Sequence, residues 1–270
     1  MTPDELAGYL QRIGLSAAPA PDLDGLAAVQ RAHRLAIPFE NLDVILGRGI
    51  SIAPDAVFAK LVTRRRGGYC FEQNQLFGRA LAALGFTAWP LLARVWAGGT
   101  GEVPPRTHTF NLVALEGHEW IADAGFGANY APPLRLEAGT EAATDDGARH
   151  RLRTDRDHGW MIERQAPGED WAPQYSFTLD PVFPNDLAMA NHWTASAPGS
   201  RFTSMRIVSR VLPDGLVSLT DRRLVHQRIG GREESEVASA EAYRAALAEL
   251  FDMRLGADEV GRLGLFGATD

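Results

Sequence analysis

The sequence predicts an α+β fold: helices in the first third, strands through the middle and a long helix near the end. Three observations predict it. Apolar residues recur at helical spacing as far as Gly85, and β-branched and aromatic runs bounded by turn residues follow. No internal repeat or low-complexity tract disturbs that order.

Thr2 and Glu5 can form a capping box around Pro3, after which Leu6, Leu10 and Ile13 keep helical spacing. A second helix is expected from Asp22 until Pro38 stops it, and a third from Pro54 to about Val62. The fourth begins near Cys70, because Leu76, Phe77, Ala80, Leu81 and Leu84 form one stripe that ends at Gly85. Cys70 therefore stands at a helix start.

Strands are expected at Trp89–Trp96, Thr107–Leu115 and Trp120–Ala124, with Glu116 and Gly117 as a tight turn between the last two. Short runs at His150–Arg153, Trp160–Glu163 and Tyr175–Thr178 would complete a barrel or sheet. Pro213, Asp214 and Gly215 centre a hairpin between Met205–Val211 and Leu216–Leu219. The last helix, from about Ala240 to Arg254, carries Tyr243, Ala246, Leu247, Leu250 and Phe251 on one side. The small, polar stretch from Gly139 to Gly147 reads as a loose loop.

The 270 residues suffice for a substantial core, and 45% hydrophobic with 23% charged residues is an ordinary globular composition. A net charge of -7 repels phosphate backbones, which argues against general nucleic-acid binding and leaves small substrates or protein partners open. No stretch reaches the roughly 18 uninterrupted apolar residues of a membrane helix. Met1 to Leu10 is acidic and broken by Pro3, unlike a secretory leader, so a cytoplasmic protein is expected. One cysteine excludes an internal disulfide and a multi-cysteine zinc site, fits a reducing compartment and leaves a lone thiol to explain.

That thiol has chemistry around it. In Arg66-Gly67-Gly68-Tyr69-Cys70-Phe71-Glu72, two glycines let the backbone turn into the helix and are expected to leave the sulfur exposed. Unpaired N–H groups of a first helical turn favour thiolate and can receive an oxyanion. A base is available nearby. If Glu116 and Gly117 form a two-residue turn, Leu115 faces His118, Val113 faces Trp120, Phe110 faces Asp123 and His108 faces Gly125. His108 and Asp123 then share a face as diagonal neighbours, roughly 7 to 8 Å apart at the backbone. Thiol, imidazole and carboxylate together satisfy the logic of an activated nucleophile.

At these residues the chain resembles the arylamine N-acetyltransferases. The R-G-G-Y-C-F-E block at Cys70, Thr107-His108 and Asp123-Ala124-Gly125-Phe126-Gly127 follow that family's order, as do Ile37-Pro38-Phe39-Glu40-Asn41 and Arg201-Phe202-Thr203. The resemblance implies a cysteine-protease-like core built of an N-terminal helical bundle (1–85), a central β-barrel (86–185) and a C-terminal α/β lid (186–270). It implies that acetyl-CoA acylates Cys70, that His108 and Asp123 complete the triad, and that a small aromatic amine or hydrazine takes the acetyl group. It further implies that Phe39, Val95, Phe126 and Phe202 line the acceptor pocket, with Thr107, Gly125, Gly127 and Phe202 near coenzyme A. Ala124 where relatives often carry Val, Tyr130 and the loop from Ala97 to Arg106 depart from the family pattern and bear on acceptor choice.

Other readings stay in view: a Cys-His-Asp hydrolase or transglutaminase, an amide synthase of the same fold, or a binding module retaining the triad. Arg64, Arg65 and Arg66 read as a solvated helix end, although one of them can pair with Glu40. Gly98, Gly99 and Gly101 lack the Lys-Ser/Thr of a phosphate loop, and His118 and Glu119 lack a second histidine at Ala122, so no metal is expected. His33, His192 and His226 read as surface or core residues, and no G-x-S-x-G elbow is present. Oligomeric state is not encoded in any of these features.

Overall fold

The computed structural model describes residues 1–99 and 101–267. Thr2 caps α1 (Pro3–Ile13) reciprocally: its side chain accepts from the Glu5 N–H, and Glu5 accepts from the Thr2 N–H. Asp22 caps α2 (Leu23–Ala36), which ends before Ile37-Pro38 because proline keeps its predecessor out of helical backbone. After the short strand β1 (Phe39–Glu40) and α3 (Leu42–Ile45), α4 (Pro54–Phe58) passes into a π-helical turn, Ala59–Thr63. The helix expected over 54–62 is thus two kinds of turn. α5 (Cys70–Ala83) starts at the cysteine and stops before Gly85, whose φ of 95° only glycine adopts readily. Tyr9, Leu26, Val29, Leu61, Leu76, Phe77 and Leu81 from these helices form one core.

The middle of the chain folds into an eight-stranded antiparallel sheet, nearly closed as a barrel. Its strands are β2 (Thr87–Val95), β3 (Arg106–Leu115), β4 (His118–Ala122), β5 (Leu134–Arg135), β6 (Glu141–Ala143), β7 (Arg149–Asp155), β8 (Gly159–Gln165) and β9 (Ala172–Phe177). They lie in the order β5-β4-β3-β2-β9-β8-β7-β6. Glu116 and Gly117 turn with φ of 53° and 78°, as a two-residue hairpin requires, and Leu115 faces His118 and Val113 faces Trp120 as expected. The ladder stops at Asn111 opposite Ala122, so Asp123 and Ala124 lie beyond the strand that the sequence extended through them. Asp123 gives up backbone pairing for side-chain partners described below. The stretch from Gly139 to Gly147, read as a loose loop, contains β6; being short, polar and at the sheet edge, β6 shows no apolar alternation.

In the last part, α6 (Pro184–Ser196) precedes a five-stranded antiparallel sheet and two helices. β10 (Ile207–Leu212) and β11 (Gly215–Thr220) form the expected hairpin, joined by Pro213-Asp214, and β12 (Arg223–Arg228) and β13 (Gly231–Glu236) extend it. α7 (Ala240–Phe251) ends at Asp252 in the left-handed region, short of Arg254, and α8 (Ala257–Arg262) follows. The sequence reading had not anticipated α6, α8, β12 or β13. α6 exposes Met189 and Trp193, and β13 is exposed throughout, so neither carries an apolar face to read. Leu42 from the first third joins Val208, Val217, Tyr243, Leu247 and Phe251 in this core, and β1 pairs with β10. No helix among the described residues is long and apolar enough to cross a membrane.

Candidate active site

The turn before Cys70 is built from buried polar contacts. Gly68 exchanges backbone bonds with the Pro38–Glu40 segment, donating to the Pro38 carbonyl and accepting from the Glu40 N–H. Neither Gly67 nor Gly68 has a positive φ; Gly67 is required because a Cβ there would collide with the Pro38 carbonyl. Gln73 donates to the Pro38 and Gly68 carbonyls and accepts from His33 Nε2 at 2.6 Å, while His33 Nδ1 accepts from the Tyr9 hydroxyl at 2.9 Å. Three helices thus hold one turn.

Charges brace it from beneath. Lys60 donates to Glu72 at 2.8 Å and lies 3.0 Å from Asp43, and Glu72 also accepts from the Tyr69 N–H. Burial pushes the Glu72 carboxyl up to about 7 against the pull of Lys60. Arg66 pairs with Glu40 at 2.7 Å and with Asp43, so of the arginine run this residue leaves solvent for the core pairing.

The sulfur of Cys70 is buried, 3% exposed, and not exposed as its glycine-rich approach suggested. β3 covers it, and its thiol donates to the Thr107 carbonyl at 3.6 Å. Burial pushes the thiol well up; the Thr109 N–H pulls it down, the Asp123 charge raises it, and the Phe71 and Cys70 amides pull it down. Desolvation therefore opposes the pull of the helix start on the sulfur.

His108 on β3 lines the same cavity as Cys70. Its Nε2 lies 2.7 Å from Asp123 Oδ2, and Phe110, Phe126 and Tyr175 surround the ring with centroids at 6.4, 4.9 and 5.0 Å. Asp123 Oδ1 accepts from Asn74 Nδ2 at 2.9 Å and from the Gly125 N–H at 2.8 Å. Burial opposes its ionisation, but His108, Asn74 and Gly125 together hold the carboxyl below the usual range. An ionised carboxylate at Nε2 fixes the proton there and leaves Nδ1 as the acceptor.

The cavity is about 430 Å³. Phe39, Val95, Phe126 and Phe202, named for the acceptor, all reach its wall. Thr107, Gly125 and Gly127, named with Phe202 for coenzyme A, line it as well. Gly125 packs so close to α5 that a Cβ would sit 2.9 Å from Cys70 Cα and 2.6 Å from Asn74 Nδ2. Arg34 secures the same loop, donating to the Ala124 carbonyl at 3.2 Å and to the Gly127 carbonyl, with its guanidinium over Tyr130.

Asn74, Arg34 and Tyr175 escaped the sequence reading. Asn74 had a signal, since four residues past Cys70 is the same helix face. Arg34 and Tyr175 arrive from distant segments and had none. Among the described residues no His, Cys, Asp and Glu side chains group as a metal site.

An arylamine N-acetyltransferase of Mycolicibacterium smegmatis is 39% identical over 264 residues, which cover 96% of this chain and 94% of the relative. The sequence profile described as N-acetyltransferase matches residues 22–260. The chain belongs to the arylamine N-acetyltransferase family. It is accordingly an acyltransferase. The solved arylamine N-acetyltransferase of Salmonella typhimurium superposes with a TM-score of 0.92 at 34% identity, covering 98% of this chain and 100% of that one. The Mycobacterium marinum arylamine N-acetyltransferase, solved in complex with CoA, gives 0.88 at 35% identity and 96% of both chains. The bundle, barrel and α/β lid implied by the arylamine N-acetyltransferase resemblance are thus the fold of this chain.

Proposed function

We propose that this chain transfers an acetyl group from acetyl-CoA to an aromatic amine or hydrazine through an acetyl-Cys70 intermediate. The observation that carries the reading is that one cavity is lined both by a buried thiol and by an imidazole whose Nε2 is held by an ionised carboxylate. In the first half-reaction His108 Nδ1 takes the Cys70 proton, the sulfur attacks the thioester carbonyl carbon, and the coenzyme thiolate leaves, taking the proton back from the imidazolium. In this reading the Cys70 and Phe71 N–H groups at the start of α5, not the Glu72 and Gln73 N–H groups that donate to the Tyr69 carbonyl, receive the developing oxyanion. In the second, the amine nitrogen attacks acetyl-Cys70, His108 removes its proton, and the Cys70 sulfur leaves and recovers a proton.

Phe39, Val95, Phe126 and Phe202 suit a flat aromatic acceptor, and Thr107, Gly125, Gly127 and Phe202 suit the pantetheine arm that must reach the sulfur. In this reading residues 1–85 supply the nucleophile, 86–185 the imidazole and carboxylate, and 186–270 the cover. A lone cysteine used as a nucleophile fits a reducing, cytoplasmic setting. Mixing the protein with acetyl-CoA alone and measuring its intact mass should show one acetyl group, absent in Cys70→Ala. An unmodified thiol would overturn the reading, and release of that acetyl group by water as fast as by amine would make the protein a hydrolase.

A further inference from the structure

α5 and the β2–β3 ribbon do not close on each other completely. A cavity of about 230 Å³ lies between them and shares no lining residue with the one that opens on Cys70. Small residues leave the space: Gly78 and Ala82 on α5 and Ala88 on β2 stand where larger apolar side chains would fill an ordinary helix–sheet contact. Gly78 is held to that size by its neighbour, since a Cβ there would lie 2.5 Å from Asn111 Oδ1. The side-chain amides and the hydroxyl of the wall have spent their donors. Asn74 Nδ2 serves the Thr109 carbonyl and Asp123, Thr109 Oγ1 the Leu91 carbonyl, Gln75 Nε2 the Ile52 carbonyl and Asn111 Nδ2 the Asn74 carbonyl. Two acceptors are left over. Gln75 Oε1 is buried with no partner, and among the described residues no donor reaches Oδ1 of Asn111, a residue only 4% exposed. Arg79, the one charged residue of the lining, donates to the Pro54 carbonyl and pairs with Glu5. A largely apolar hollow with spare acceptors and no unpaired charge suits an uncharged molecule that donates.

We infer that this cavity is an effector site for a small uncharged ring bearing one hydrogen-bond donor, and that the ring acts on the triad through Asn74. Its volume, under the roughly 300 Å³ at which ordinary ligand pockets begin, limits the occupant to about one ring. The ring packs on Phe71 and Leu187 with its O–H or N–H on Asn111 Oδ1. It then touches Asn74, whose amide fixes Asp123, without entering the cavity of Cys70. An occupant that meets one position of Asn74 more favourably than another shifts the alignment of Asp123, so its effect falls on kcat and not on substrate binding. The effector role rests on the triad reading above, whereas binding does not. An aromatic amine has the same chemistry, and a phenol serves as probe because it has no nitrogen to acetylate.

The full chain is titrated by fluorine NMR with 4-fluorophenol and with 4-fluorotoluene, which lacks the donor. Wild type is compared with Ala88→Leu, with Ala82→Leu and with wild type alkylated at Cys70, and thermal melts identify which variants are folded. 4-Fluorophenol should bind wild type and alkylated protein equally, and 4-fluorotoluene should bind about fivefold more weakly. Either leucine, by filling the hollow, should weaken 4-fluorophenol about tenfold or more. In acetyl transfer from acetyl-CoA to aniline, saturating 4-fluorophenol should shift the kcat of wild type about twofold or more with the aniline KM unchanged, and should leave that of Ala88→Leu as it was. No binding to wild type would overturn the site, as would binding that is lost on alkylation and kept in the leucine variants. Equal affinity for the two rings would overturn the assigned ligand class. A bound ring that leaves kcat unchanged, or that raises only the aniline KM, would overturn the effector role. Wild type that transfers no acetyl group would instead refute the triad reading and the effector role with it, while the binding titration would still decide the site.

Discussion

Asn74 lies one helical turn beyond Cys70 and donates its side-chain amide to Asp123 Oδ1 at 2.9 Å. The same amide donates to the Thr109 carbonyl at 2.7 Å, and its oxygen accepts from the Ala124 N–H at 2.9 Å. The helix that carries the sulfur therefore also sets the position of the carboxylate that aims the imidazole. Replacing Asn74 with Ala should lower kcat about 100-fold with a smaller change in KM, because Asp123 and His108 lose their alignment with Cys70. Steady-state acetyl transfer checks this, with circular dichroism to confirm that the variant is folded.

Asp123→Asn tests the tautomer. An amide nitrogen facing Nε2 would favour the imidazole with its proton on Nδ1, where the thiol proton has to go. Loss of kcat by a factor of about 10⁴ is expected, with little loss of fold. Single-turnover acetylation of Cys70 is the measurement.

Gly125→Ala would place a methyl group 2.9 Å from Cys70 Cα and 2.6 Å from Asn74 Nδ2. The crowding should cost about 1 to 3 kcal/mol of stability and slow alkylation of the thiol by iodoacetamide. A urea melt and a labelling time course read the two effects.

Lys60→Met should destabilise the fold by about 3 to 5 kcal/mol, since it leaves Glu72, Asp43 and Glu40 buried beside one another with less positive charge. The loss should appear in a urea melt at pH 8 and shrink as pH falls and the Glu72 carboxyl, raised to about 7, takes up a proton.

His150 is fully buried with neither ring nitrogen hydrogen-bonded, and desolvation, with Arg164 nearby, lowers its pKa to about 4. Its folded pKa is below the unfolded value of about 6.5, so the unfolded chain binds more protons between those values. The contribution of neutral His150 is complete above pH 6.5 and is lost as pH falls toward 4, on the order of 3 kcal/mol in all. His33, lowered to about 3 by burial, acts in the same direction. His150→Leu should show a shallower fall in melting temperature from pH 7 to pH 4.5 than the wild type.

Local chemistry was readable wherever one segment supplied it. The capping box of α1, the stripe of α5 ending at Gly85 and the two-residue turn at Glu116-Gly117 depend on neighbours in the chain, and each is where the sequence placed it. The hairpin argument brought His108 and Asp123 to one face, although the ladder ends one residue before Asp123. Exposed elements such as α6 and β13 were illegible, because an element that buries little leaves no apolar period.

Sequence by itself determined the family blocks, the place of Cys70 at a helix start and the turn that lets the His108 imidazole meet the Asp123 carboxylate. Tertiary structure decided that Cys70 is buried and that Asn74, Arg34 and Tyr175 enclose the site. The reason is physical. Periodicity and turn chemistry act over a few residues, whereas desolvation and charge pairing depend on which distant side chains fill the surrounding volume.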